Sequence, residues 1–77
     1  MKIKVRLHAG LKKYAVGGEN GVFALDIPAM NGEGLIDYLG INKLDAGLMI
    51  INGKTVDYET DIRENDYVQI LTELKGG

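Results

Sequence analysis

Both ends of this 77-residue chain alternate apolar and polar residues one by one, and that restricts the fold more than any other feature. In "KIKVRLH", Ile3, Val5 and Leu7 fall on one side and Lys2, Lys4, Arg6 and His8 on the other. In "YVQILTEL", Val68 and Ile70 point one way, with Leu74 at the margin of that face. Tyr67, Gln69, Leu71 and Glu73 point the other way. A period of two with β-branched residues is a strand buried on one face. A chain this short has room for one core, since it buries only about 60% of the surface its unfolded form exposes. Whatever lies between the two strands must therefore cover their shared apolar side.

The interior supplies that cover. "GLKKYAVGG" can make one or two helical turns before Gly17-Gly18, and "GVFALDIP" alternates again, with Phe23, Leu25 and Ile27 on one face until Pro28 ends pairing. "NGEGLIDYLGI" predicts the one main helix, near residues 33–40. Asn31 is its N-cap, Glu33 lies in its first turn, Leu35, Ile36 and Leu39 form a stripe, and Gly40 is its stop. "LMIINGKTV" is an apolar run into Asn52-Gly53, a pair that favours a type I′ hairpin because both central residues take positive φ. "DYETDIREND" is a polar loop with Ile62 as its aliphatic anchor. Strand, turn, strand, helix, strand, hairpin, loop, strand predicts an α+β chain with one helix across one face of a mixed sheet. That is the ubiquitin-like β-grasp, with the first and last strands parallel and adjacent in mid-sheet. The expectation is a single domain over residues 1–77, with a flexible Gly-Gly tail over about 73–77.

Composition excludes several functions. The chain has no cysteine, so it offers no disulfide, thiol nucleophile or Cys-based zinc site. His8 is the lone histidine and serine is absent, which leaves no catalytic constellation and no expected metal site. The acidic run Asp57, Glu59, Asp61, Glu64 and Asp66 lacks the spacing of a calcium loop. A net charge of −2 argues against nucleic-acid binding, and no apolar run is long enough to span a bilayer. The expectation is a cytoplasmic protein that is not itself an enzyme and binds no cofactor.

What remains is "TELKGG". Gly76 and Gly77 lack a Cβ, so the last peptide units can lie in a channel too narrow for side chains. The terminal carboxylate is thereby exposed to chemistry performed by another protein. The outward Leu71, with Glu73 beside it and His8 on the neighbouring strand, reads as a docking patch next to that tail. Leu74, the last apolar residue before the two glycines, belongs with them.

Over nearly its whole length the sequence resembles the ubiquitin-like sulfur carriers of the MoaD/ThiS family, with the molybdopterin-synthase small-subunit branch favoured. "KIKVRLHAGLKKYA" is similar to that family's first strand and turn, "IINGKTVDYETDIRENDYVQIL" to its hairpin and last strand, and "KGG" to its ending. The resemblance implies that an E1-like enzyme uses ATP and magnesium to adenylate Gly77, with Lys75 and Gly76 giving access. A persulfide donor then converts the carboxylate to a thiocarboxylate, which a synthase large subunit or its equivalent consumes. The cofactor made would be molybdopterin or tungstopterin, with thiamine next. Against the family pattern, His8 stands where an aromatic residue is common, Asn65 where glycine is usual, and Gly32 where an apolar helix residue is expected. A protein modifier joined to lysines through Gly77, and a non-catalytic interaction module, remain open alternatives at this point.

Overall fold

Alternation becomes pairing in the computed structural model, which describes residues 1–15 and 21–72. Strand β1 (Lys2–Leu7) leads into a 3-10 turn (Ala9–Tyr14), then β2 (Val22–Asp26) and the helix α1 (Gly32–Leu39). Strands β3 (Ala46–Ile51), β4 (Lys54–Val56) and β5 (Tyr67–Thr72) follow. They form one sheet in the order β2-β1-β5-β3-β4. β1 and β5 are parallel and every other pair is antiparallel, so the first and last strands lie side by side inside the sheet, as expected.

The core is the set of inward residues of this sheet plus one stripe of α1. Ile3, Val5 and Leu7 of β1, Val68 and Ile70 of β5, and Met49 and Ile51 of β3 are buried together with Leu35 and Ile36. Leu11 of the 3-10 turn, Phe23, Ile27, Ile41 and Ile62 complete the cluster. Among the described residues no charged or polar residue is buried. Ile62 anchors its polar loop as anticipated, whereas Leu25 is only half-buried.

The helix begins one residue before its predicted start and ends one before its predicted end. Asn31 caps it, its side-chain oxygen accepting from the Gly34 amide at 2.9 Å. The first amides are otherwise met from outside, Gly32 N–H by the Thr60 carbonyl and Glu33 N–H by the Tyr58 carbonyl. Gly40 closes the helix in the left-handed region at φ 72°, and the Ile41 amide reaches back to the Ile36 carbonyl. That is a Schellman ending, and it swings Ile41 into the core.

Gly32 also has a packing reason. A Cβ there would stand 2.5 Å from the Met49 sulfur and 3.1 Å from the Tyr58 carbonyl oxygen. Met49 occupies the volume that an apolar residue at position 32 would otherwise fill. Asn52 and Gly53 both take positive φ, as the hairpin requires, and Asn65 does so at 67°. The Asn52 side chain ties the hairpin to β5, accepting from Tyr67 N–H and donating to Asp66, both at 2.9 Å.

Candidate functional site

Because one face of the sheet is covered by the helix, the outward side chains of β1, β5 and β3 lie together on the other. Its layout follows from register. Gln69 of β5 is paired with Arg6 of β1 on one side and with Ile50 of β3 on the other. Two residues along β5 toward its C-terminal end, the parallel register that pairs Leu7 with Ile70 puts His8 abreast of Leu71. On the β3 side, Ala46 pairs with Thr72 and Met49 with Ile70, so Gly47 and Leu48 together stand opposite Leu71 alone. This is a β-bulge, and it bends the strand where it faces the end of β5. Two residues the other way, Tyr67 is paired with Lys4.

The outer face therefore has two parts. One is apolar: Leu48, 53% exposed, with the half-buried Ile50 and Leu71. The other is basic, with Lys2, Lys4 and Arg6 exposed along β1. Between them His8 and Gln69 are joined by a 2.9 Å hydrogen bond from Nε2 to Oε1. That bond links β1 to β5 at the junction of the two parts.

Of the residues expected to act, His8 and Leu71 are brought together on this face. Glu73, Leu74, Lys75, Gly76 and Gly77 lie outside the described residues, as do Gly17 and Gly18. Leu71 is half-buried on this face, because its central strand is flanked by β1 on one side and β3 on the other. Sequence reasoning missed Leu48 and Ile50. Counting back from Asn52-Gly53 in steps of two would have found them, since Ile51 and Met49 face the core and their neighbours must face away. The face can bind a partner by apolar contact and charge; among the described residues it contains no nucleophile poised beside a base.

A pocket of about 220 Å3 lies on the helix side, lined by Glu33, Ile36, Lys43, Ala46 and Tyr58. Lys43 is held there by Glu33 at 3.1 Å and Asp37 at 3.9 Å. Its ammonium pKa is raised, first by the Glu33 hydrogen bond and then by the Asp37 charge. The Tyr58 hydroxyl donates to the Gly47 carbonyl, which links the pocket wall to the bulge. No described helix is long and apolar enough to cross a membrane.

No protein-family model and no curated protein matches this sequence. Solved structures do match. Subunit 1 of a molybdopterin converting factor from Pyrococcus furiosus superposes with a TM-score of 0.73 at 16% identity, over 95% of this chain and 98% of that one. SAMP1 from Haloferax volcanii gives 0.71 at 16% identity, with both chains fully covered. The complex of subunits 1 and 2 of the molybdopterin-converting factor from Helicobacter pylori 26695 contributes a chain at 0.64 and 17% identity, again over full lengths. At these identities the likeness establishes the fold. It is the β-grasp.

Proposed function

We propose that this chain is a sulfur carrier whose reactive group is the carboxylate of Gly77. The observation that carries the reading is one of position. The outer face holds an apolar cluster at the end of β5, and the chain runs from Thr72 through residues 73–77 to its terminal glycines. A protein that grips Leu48, Ile50 and Leu71 would hold the chain next to Thr72, five residues in sequence from the carboxylate it acts on. Two of the structures named above are molybdopterin-converting-factor chains, and one of them comes from a complex of subunit 1 with subunit 2. That kinship of fold supports a synthase large subunit as one partner; an E1-like adenylating enzyme is the partner that the proposed activation of Gly77 requires.

The chemistry needs nothing from this chain beyond its end. A carboxylate is a poor electrophile. Attack of the Gly77 carboxylate on the α-phosphorus of ATP, with magnesium on the phosphates, releases pyrophosphate and leaves an acyl-adenylate whose AMP is a good leaving group. The terminal sulfur of a persulfide displaces AMP, and a thiol cleaves the resulting acyl disulfide to leave the thiocarboxylate. That sulfur is a nucleophile without any cysteine in the carrier, and a pterin synthase is the favoured consumer. A modifier would share the adenylate and end on a lysine amide instead. Intact mass of the protein from its own cells separates the two, since sulfur in place of oxygen marks the carrier.

Removing Gly77, or adding one alanine after it, should abolish activation while leaving thermal stability unchanged. One residue of extended chain displaces the carboxylate by about 3.5 Å, far outside in-line reach of a phosphate. With the E1-like enzyme, ATP and magnesium, wild type should release pyrophosphate and neither variant should. Equal release without Gly77 would exclude both carrier and modifier.

A further inference from the structure

We propose that the partner surface received by the outer sheet face is acidic as well as apolar, presenting carboxylates to Lys4 and Arg6 beside the group that covers Leu48, Ile50 and Leu71. The inference rests on the docking reading above and specifies its chemistry. Among the described residues, ion pairs are formed by the N-terminal amine with Asp26 and by Lys43 with Glu33 and Asp37; Lys4 and Arg6 form none. Their cross-strand neighbours are uncharged, Ala24 and Tyr67 for Lys4, Val22 and Gln69 for Arg6. Lys2 differs, because Asp26 is its partner on β2 and Glu64 accepts from its amide. So in a chain of net charge −2, two exposed cations stand together, neither ion-paired among the described residues and neither with a carboxylate directly across the ladder.

Position gives this charge a consequence. Arg6, Gln69 and Ile50 form one row across three strands, so a partner covering Ile50 and Leu71 reaches the guanidinium at its margin. Taking a cation out of water without a counter-charge is costly. A neutral partner would have to stop short of Arg6, whereas one with carboxylates can cover the row. Side chains two apart on a strand stand roughly 6.5–7 Å from one another, so the matching carboxylates need a similar spacing. Opposed potentials of this kind act mainly on encounter rate and on choice of partner.

The test compares the double variant Lys4→Glu/Arg6→Glu, its neutral counterpart Lys4→Gln/Arg6→Gln, and Leu71→Asp. Each is measured for association with the E1-like adenylating enzyme at low and high salt. The reversed pair should associate about tenfold or more slowly at low salt, the neutral pair less so, and added salt should narrow both gaps. Both positions are exposed, so thermal midpoints should stay near wild type. If Leu71→Asp weakens binding while the reversed pair matches wild type at every salt concentration, docking stands and the acidic partner does not. If wild type releases no pyrophosphate with that enzyme, the carrier reading fails instead. Capture of a single-stranded RNA oligonucleotide that the reversal abolishes, with enzyme association unchanged, would overturn the proposal in favour of a nucleic-acid face.

Discussion

Ile70 and Leu71 are consecutive, similar in size and in the same central strand, yet they belong to different parts of the molecule. Ile70 is fully buried among core residues from β1, β3 and α1. Leu71 is half-buried on the other face, with His8 abreast of it and the Gly47-Leu48 bulge opposite. The two faces of one sheet thus differ: the inner holds the chain folded, and the outer meets solvent. An apolar side chain is not enough to tell stability from function; the face it occupies is.

The sharpest way to break the comparison is to truncate both. Ile70→Ala should cost about 2–5 kcal/mol of unfolding free energy in denaturant titration, through lost burial and the cavity left behind. Leu71→Asp should cost no more than about 1 kcal/mol, the span of strand propensities. It should nevertheless weaken docking by about 2 kcal/mol or more, because a charge enters a desolvated contact. Equal destabilisation would place Leu71 in the core and remove the distinction.

Gly32→Ala probes the inner side from the helix. The new methyl group meets the buried Met49 sulfur and a backbone carbonyl, so a loss of about 1–3 kcal/mol is expected despite the better helix propensity of alanine. A gain in thermal midpoint would mean that Met49 can swing aside.

The smallest effect is expected at Lys43, outside both faces. Its raised pKa means that its contribution is complete below the ordinary lysine value of 10.5 and is lost as pH rises through the raised one. Lys43→Gln should lower the midpoint slightly at neutral pH, since the pair is exposed and screened. The difference from wild type should close in strongly alkaline buffer. A difference independent of pH would assign the effect to packing.

Much of this was legible in residue order. Alternation in "KIKVRLH" and "YVQILTEL" identified the buried faces of β1 and β5, and Asn31, Gly40 and Asn52-Gly53 marked a helix start, a helix stop and a turn through local hydrogen bonding and φ. Asn65 was recognised as a glycine substitute, and it takes positive φ. Leu48 and Ile50 were not assigned, because a continuous apolar run hides its period. Leu11 and Ile41 were missed because single apolar residues in turns have no period at all.

The sequence by itself determined which residues could pair, bury and turn, since those preferences act over a few bonds. It also placed two glycines at the end of the chain. Only the tertiary structure decided that Gly32 must yield space to Met49, that a bulge sets Leu48 opposite Leu71, and that Arg6 shares a row with Ile50. Those relations join residues far apart in the chain. They depend on long-range packing and register, the parallel pairing of the first strand with the last among them, which a local pattern permits but does not select.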